Sequence, residues 1–468
     1  MENKVYRPGI FGKRIFVLLV AAMPWAGNAQ TLNLYDAVNK TVSNYPLLQQ
    51  RQTEVAAGRA HVTTVNGNRL PSLTLQDQLV AGTDNPLPGS YFSLGMIPST
   101  PGNYTTAHNN PYQGNTAISY LKWDFYTFGY YDAQQKEAKA QLGVSEANLN
   151  SDKYQLTENI VSLYLDWLKK YRLLQIQNEN MQRAQVILTA IRATVLSGLK
   201  PGVDSSTASA AYADARISYL QALDNYNYDR IAVGTYTGMN NNNLMPDTDI
   251  VSPSLLQNTT EVKVTDSVAQ GHPLLDVYQK LYEQQLASNK TIAKQYLPKF
   301  GLDGATWLRN SDISPTEVYP DNITGNMPYS RYNYLLGLTL TYDLFNLKHR
   351  HDAVVENRLR ADATQSALQT QQLTLNNMLQ QANSTYATTV EKLKEIPVQL
   401  QSAQQAYGQQ LALYRAGLNT LIDLTNAQYV LLQTETSYVN MQDELLQLLY
   451  IRAGLGGQLD TFLQNFKK

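Results

Sequence analysis

Gly198-Leu199-Lys200-Pro201-Gly202-Val203-Asp204 and Gly417-Leu418-Asn419-Thr420-Leu421-Ile422-Asp423 are two versions of one turn. A glycine that ends one helix and a carboxylate in the first turn of the next are what a helix-to-helix reversal needs. Glycine tolerates the left-handed cap conformation, and the carboxylate meets unpaired N–H groups and the helix dipole. Upstream of the first turn no proline occurs from Asp132 to Lys200, and upstream of the second none occurs from Lys348 to Ile396. At ~1.5 Å per residue the first block reaches about 100 Å as a helix. Such a helix cannot be the core of a compact domain and has to be covered along its length by neighbours. Pro397 removes a donor inside the second block and is expected to kink it or shift its register.

The pairing extends outward from the turns. Trp123-Asp124-Phe125 answers Tyr342-Asp343-Leu344, and like the turns these sites lie 219 residues apart. Tyr45-Pro46-Leu47-Leu48 answers His272-Pro273-Leu274-Leu275, and Leu70-Pro71 answers Leu297-Pro298, now 227 residues apart. Self-similarity at a fixed offset marks an internal duplication. The eight extra residues of the first half fall between its Leu-Pro and aromatic-Asp landmarks, where 81–114 is rich in Gly, Pro, Asn and Ser and reads as a surface loop. Its counterpart is 309–331.

Strands flank these loops. Leu336, Leu338, Leu340, Tyr342 and Leu344 alternate with Gly337, Thr339, Thr341 and Asp343, the period of a strand with one apolar face. The predicted strands are about 71–80, 115–126, 298–308 and 333–345. Four strands spread among such helices are too few for a soluble sandwich. After the first turn Ala208, Ala211, Ala215, Ser218 and Ala222 form a small-residue seam, repeated 219 residues on as Ala427, Val430, Thr434, Ser437 and Met441.

The N-terminus reads as a signal peptide over 1–29, with Lys4, Arg7, Lys13 and Arg14 before the apolar run Ile15 to Met23 and small residues at Gly27-Asn28-Ala29. A first repeat then spans 30–245, a linker 246–265, a second repeat 266–457 and a tail 458–468. No later apolar run is long enough to span a bilayer as a helix. With 37 Lys+Arg against 38 Asp+Glu, no basic surface for nucleic acid is indicated. The absence of cysteine excludes thiol catalysis, a lipid-modified N-terminal cysteine and thiolate metal sites. His61, His108, His272, His349 and His351 form no ligand set, His349 and His351 pointing apart at the start of a helix. No phosphate loop, zinc-protease helix or nucleophile elbow occurs. We expect neither an enzyme nor a cofactor or metal site.

Two copies of helix, Pro-Leu-Leu, helix, Leu-Pro, strand, loop, strand, long helix, Gly-x4-[Val/Ile]-Asp, long helix resemble the TolC-like outer-membrane efflux family over nearly the whole mature chain. The resemblance implies a mainly α fold with a transmembrane β-barrel: long antiparallel helical hairpins form an α-barrel tunnel, and four strands per protomer close a twelve-strand barrel in a homotrimer. It implies an exit duct in the cell outer membrane, contacting lipid and reaching across the periplasm, opened by a periplasmic adaptor protein and an inner-membrane transporter. The alternative is an exported coiled-coil scaffold or envelope spacer without channel activity. The resemblance implies a constriction at Asp423, Asn426 and Tyr414 and an adaptor-docking tip at Gly198, Val203, Asp204, Gly417 and Ile422. Asn426 stands where many members carry a second acidic residue and Asn419 where many carry a basic one. A helix cap is the plainer reading of Asp204.

Overall fold

The computed structural model describes residues 30–83, 109–198, 201–240, 243–251, 267–314, 318 and 328–467. The expected signal peptide, most of both expected surface loops and most of the expected linker lie outside these residues. A short strand β1 (Gln30–Leu32) leads into α1 (Leu34–Asn44) and α2 (Pro46–Gly67). Strands β2 (Ser72–Gly82) and β3 (Tyr112–Tyr126) follow, then α3 (Tyr130–Leu196) and α4 (Gly202–Thr237). After β4 (Leu244–Pro246) the plan repeats with α5 (Pro273–Gln295), β5 (Lys299–Ser311), β6 (Arg331–Thr341), α6 (Asn346–Arg415) and α7 (Leu421–Leu455). A final helix α8 (Leu459–Gln464) lies in the segment read as a tail, and its Phe462 is fully buried.

The 67 residues of α3 and the 70 of α6 make each of these helices roughly 100 Å long. Helix α6 stays continuous across Pro397, with Ile396 and Ala403 buried on either side. Packing there offsets a missing backbone donor that costs about 3 kcal/mol in an isolated helix. Helices α1, α2, α4, α5 and α7 all lie against α3. Midway along it Ile160, Tyr164, Trp167 and Leu168 meet Leu34, Val233, Leu445, Tyr450 and Phe462 in the main core. The buried Tyr164 hydroxyl donates to the Leu32 carbonyl at 2.6 Å and accepts from the Asp247 amide at 2.9 Å. It thereby ties α3 to β1 and to the end of β4, which pair in parallel. The seam on α4 faces inward at the buried Ala208 and Ala215; its repeat on α7 does so at Thr434 but not at Val430, which is 52% exposed.

The four long strands form one antiparallel sheet in the order β2-β3-β5-β6, with β2 and β6 as unpaired edges. Three strand ends shift notably from the sequence expectation, one of them the end of β5, which runs past 308 to Ser311 and takes Arg309 out of the expected loop. Strand β6 stops at Thr341 because the Asp343 carboxylate accepts the Phe345 amide and turns the chain into α6, which takes Tyr342 and Leu344 out of the alternation. Strand β3 starts earlier, at Tyr112, pairing with Gly82. Register assigns the faces: Leu73, Leu121, Gly304 and Leu336 stand in one row, and Leu75, Ser119, Thr306 and Tyr334 in the next row on the same side. Leu73, Leu75, Tyr332, Tyr334, Leu336, Leu338 and Leu340 are all more than 60% exposed. The opposite face carries Gln78, Thr116, Lys122, Asp303, Arg309, Arg331 and Thr339, and there Asp303 accepts from Tyr120 and Thr339, each at 2.9 Å. Among the described residues no helix is long and apolar enough to cross a membrane.

His272, the counterpart of Tyr45, caps α5: its Nδ1 accepts the Leu274 amide, so Nε2 carries the proton. Burial against Tyr154 lowers its pKa below 6.5. The stabilisation from the neutral ring is present above the unfolded-state value and is lost as pH falls through the lower folded value. Thermal unfolding followed from pH 7.5 to pH 5 should therefore fall less steeply in His272→Asn, which keeps a capping acceptor but does not titrate. On the sheet, Leu338→Arg should destabilise the chain by about 2–4 kcal/mol in lipid and Thr339→Arg by much less, as measured by urea titration of protein folded into vesicles.

Candidate functional site

Both tips reverse through glycine in the left-handed region, Gly198 at φ +74° and Gly417 at φ +76°. At the second tip the Leu418 amide reaches back to the Leu413 carbonyl and the Gly417 amide to that of Tyr414, closing a Schellman cap. Thr420 then starts α7: its hydroxyl accepts the Asp423 amide at 3.2 Å, and its own amide donates to the Asp423 carboxylate at 3.3 Å. This capping box is legible in the spacing Thr420-x-x-Asp423. Asn419 reaches back to Gln410. At the first tip Leu199 and Lys200 lie outside the described residues. Pro201 precedes α4 without a side-chain cap, and Asp204 sits half-buried in the first turn. The two paired aspartates thus differ: Asp423 completes a cap, whereas Asp204 does not cap through its side chain.

Between the tips lies an apolar cluster of Ile187, Leu188, Ile191, Ala208, Leu421 and Leu424, against which Tyr407, Leu411 and Tyr414 pack. Burial raises the Tyr414 phenol above its ordinary value, and the nearby Asp204 carboxylate adds to the rise. Tyr414 from the second hairpin thus lies within electrostatic reach of Asp204 from the first. A cleft of about 370 Å³ remains beside Tyr414, lined also by Val186, Ala190, Thr194 and Gly417. Asp423 and Asn426 occupy a different face of α7: the buried stripe is Leu421, Leu424 and Leu431, while both of these residues are exposed. They are three residues apart and share that face. Val203 and Ile422 project from the tips at 67% and 66% exposure.

Further along the hairpins, α3 and α7 are joined by polar rungs that sequence reading missed. Gln428 donates to Asn180 at 2.7 Å, Arg183 grips Glu435 through two bonds of 3.2 and 2.8 Å, and Lys169 meets Asp443 at 3.2 Å. Lys170 bonds Asp229 of α4 at 2.7 Å. Burial pushes the Asp229 and Asp443 carboxyls above their ordinary range, against the pull of the lysines. These partners are separated by up to 274 residues, so no local spacing could reveal them. Among the described residues no cluster of His, Cys, Asp or Glu could hold a metal ion.

A family model for outer membrane efflux proteins matches residues 37–239 and 265–450. The chain belongs to the outer membrane efflux protein family. This is a family of channel proteins, and it places this efflux protein in the outer membrane, with a helical tunnel and a strand-built barrel. Solved structures similar to it include the outer-membrane channel OprN, at 18% identity and a TM-score of 0.70 over 91% of this chain and 90% of that one. The CmeC outer membrane channel of Campylobacter jejuni is 14% identical at a TM-score of 0.72, covering 99% and 98% of the two chains. The open state of the Neisseria gonorrhoeae MtrE outer membrane channel is 14% identical at 0.67, covering 91% and 89%. No curated protein matches the sequence significantly.

In this efflux protein the Arg183–Glu435 pair, with side chains 19% and 14% exposed, is the most direct clamp between the two hairpins. Glu435→Gln should cost about 1.5–3 kcal/mol in urea unfolding, because it leaves a partly desolvated guanidinium with only Glu179, at 4.0 Å, as a charge partner. Arg183→Met combined with Glu435→Met should recover part of that loss, and a double-mutant cycle would read out the coupling.

Proposed function

We propose that the chain is the trimeric exit duct of a tripartite efflux or secretion system, passive in itself and driven by an inner-membrane transporter through a periplasmic adaptor. The observation that carries this reading is the open four-stranded sheet: an apolar outward face and two unpaired edges are stable in lipid only if neighbouring protomers pair β2 with β6 and close the barrel. Three protomers give twelve strands. Each repeat, 30–245 and 266–457, contributes one strand pair and one hairpin, with 246–265 bridging them. The scaffold alternative leaves this lipid-suited face without a role.

Three-fold symmetry brings three copies of the exposed Asp423 and Asn426 side chains to one axis, making the tip a narrow, cation-attracting mouth. Tyr414 supports it from within, packed between the hairpins rather than exposed on that face of α7. The cleft beside Tyr414 gives the second hairpin room to shift when the adaptor docks on Gly198, Val203, Asp204, Gly417 and Ile422. Docking then has to supply only the difference between two packed arrangements. Small drugs, metal ions and proteins are all compatible cargoes for such a duct.

In single-channel recordings Asp423→Ala should lower cation selectivity and weaken block by multivalent cations from the tip side. Asn426→Asp should strengthen that block, since it adds charge about one turn away. Unchanged selectivity in both variants would return Asp423 to the plain capping role its bonds to Thr420 already perform.

A further inference from the structure

Arg309 of β5 and Arg331 of β6 are register partners on the polar face of the sheet, at the end bearing the loops. Both are exposed, and among the described residues neither is in an ion pair. Like charges directly across two strands destabilise a sheet. Among the described residues no carboxylate pairs with either side chain. The rest of its row is Thr116 and Gln78, both uncharged. Asp77 lies on the opposite face, where it accepts from Tyr329 at 2.7 Å, and Asp312, which accepts the Gln113 amide at 2.9 Å, forms no ion pair with either arginine. Asp303 shares the polar face but lies six residues down β5, about 20 Å away at ~3.3 Å per residue. That exceeds the ~8 Å screening length at physiological salt.

We propose that Arg309 and Arg331 form an oxyanion-binding ring at the outer end of the barrel lumen. The inference rests on the trimeric barrel proposed above, which would gather three such pairs around one lumen. Adjacent guanidiniums present paired N–H forks that match phosphate or carboxylate oxygens bidentately, so the preferred ligand is a dissolved solute with several such groups. Lipid phosphates are on the wrong side of the sheet, beyond the exposed Tyr332 and Tyr334. The duct then has opposite charge at its two ends: carboxylates at the tip and guanidiniums at the exit. Anionic cargo is drawn toward the exit, and external multivalent anions compete for it there.

The test is planar-bilayer recording of the full trimer in membranes free of lipopolysaccharide, with inorganic triphosphate added to either side. Triphosphate on the loop side should reduce wild-type conductance, and Arg309→Ser combined with Arg331→Ser should require about tenfold more for the same block. Arg309→Lys with Arg331→Lys should keep the anion preference while weakening the block, because charge remains but the fork is lost. Asp423→Ala should leave the loop-side block unaltered. Conducting trimers in which the double Ser variant is blocked like wild type, or in which block comes only from the tip side, would overturn the ring and leave the duct standing. Block that arises only in membranes containing lipopolysaccharide would overturn the lumenal assignment. A chain that forms no channel would overturn both readings.

Discussion

The burial of α3 is the constraint on which the rest of the structure depends. A helix of 67 residues has far more side-chain surface than its own turns can cover, and isolated helical propensity does not hold such a length in water. Every other major helix except α6 packs directly on it, and α6 joins through α5 and α7. The core around Trp167 and Tyr164 acts as a clamp at mid-length, and the smaller cluster around Ile191 and Leu424 does so near the tip. Between these two apolar anchors the contacts turn polar, with Arg183–Glu435 and Asn180–Gln428 as the connecting rungs.

That distribution has a mechanical meaning. Apolar clusters of tightly packed side chains resist sliding because every displacement opens a void. Polar rungs at partly exposed positions exchange more readily with water and weigh less in the balance. The mid-length core is thus the more extensively packed level of the molecule, and the tip has a smaller cluster and a cleft beside Tyr414.

At the other end a different solvent sets the rules. The sheet turns a leucine and tyrosine face outward and a polar face inward, an inversion of a soluble protein that only lipid on the outside makes favourable. Aromatic residues gather where the sheet meets the helices: Tyr126, Phe128 and Phe300 pack together there, with Phe128 at φ 50° and Gly129 at φ +79° turning the chain into α3. The strain at Phe128 is tolerated because the neighbouring rings hold it.

The internal repeat, the four strands, the long helices and the position of both turns were legible in the sequence, since each depends on local chemistry: proline-free runs, alternation of period two, and glycine followed by a carboxylate. The capping role of Asp423 was equally legible in Thr420-x-x-Asp423. The end of β6 at Thr341 was not, because the leucine alternation runs on to Leu344 while the Asp343 carboxylate has already turned the backbone. Only the tertiary structure decided that Tyr414 packs against a cluster holding Ile191 and Ala208 of the other hairpin, that Arg183 meets Glu435, and that Arg309 stands across from Arg331. The helix partners are far apart along the chain, the two arginines sit on neighbouring strands, and in both cases which residues meet depends on the relative register of helices and strands. That register is set by the summed burial of many side chains, which no single stretch of sequence contains.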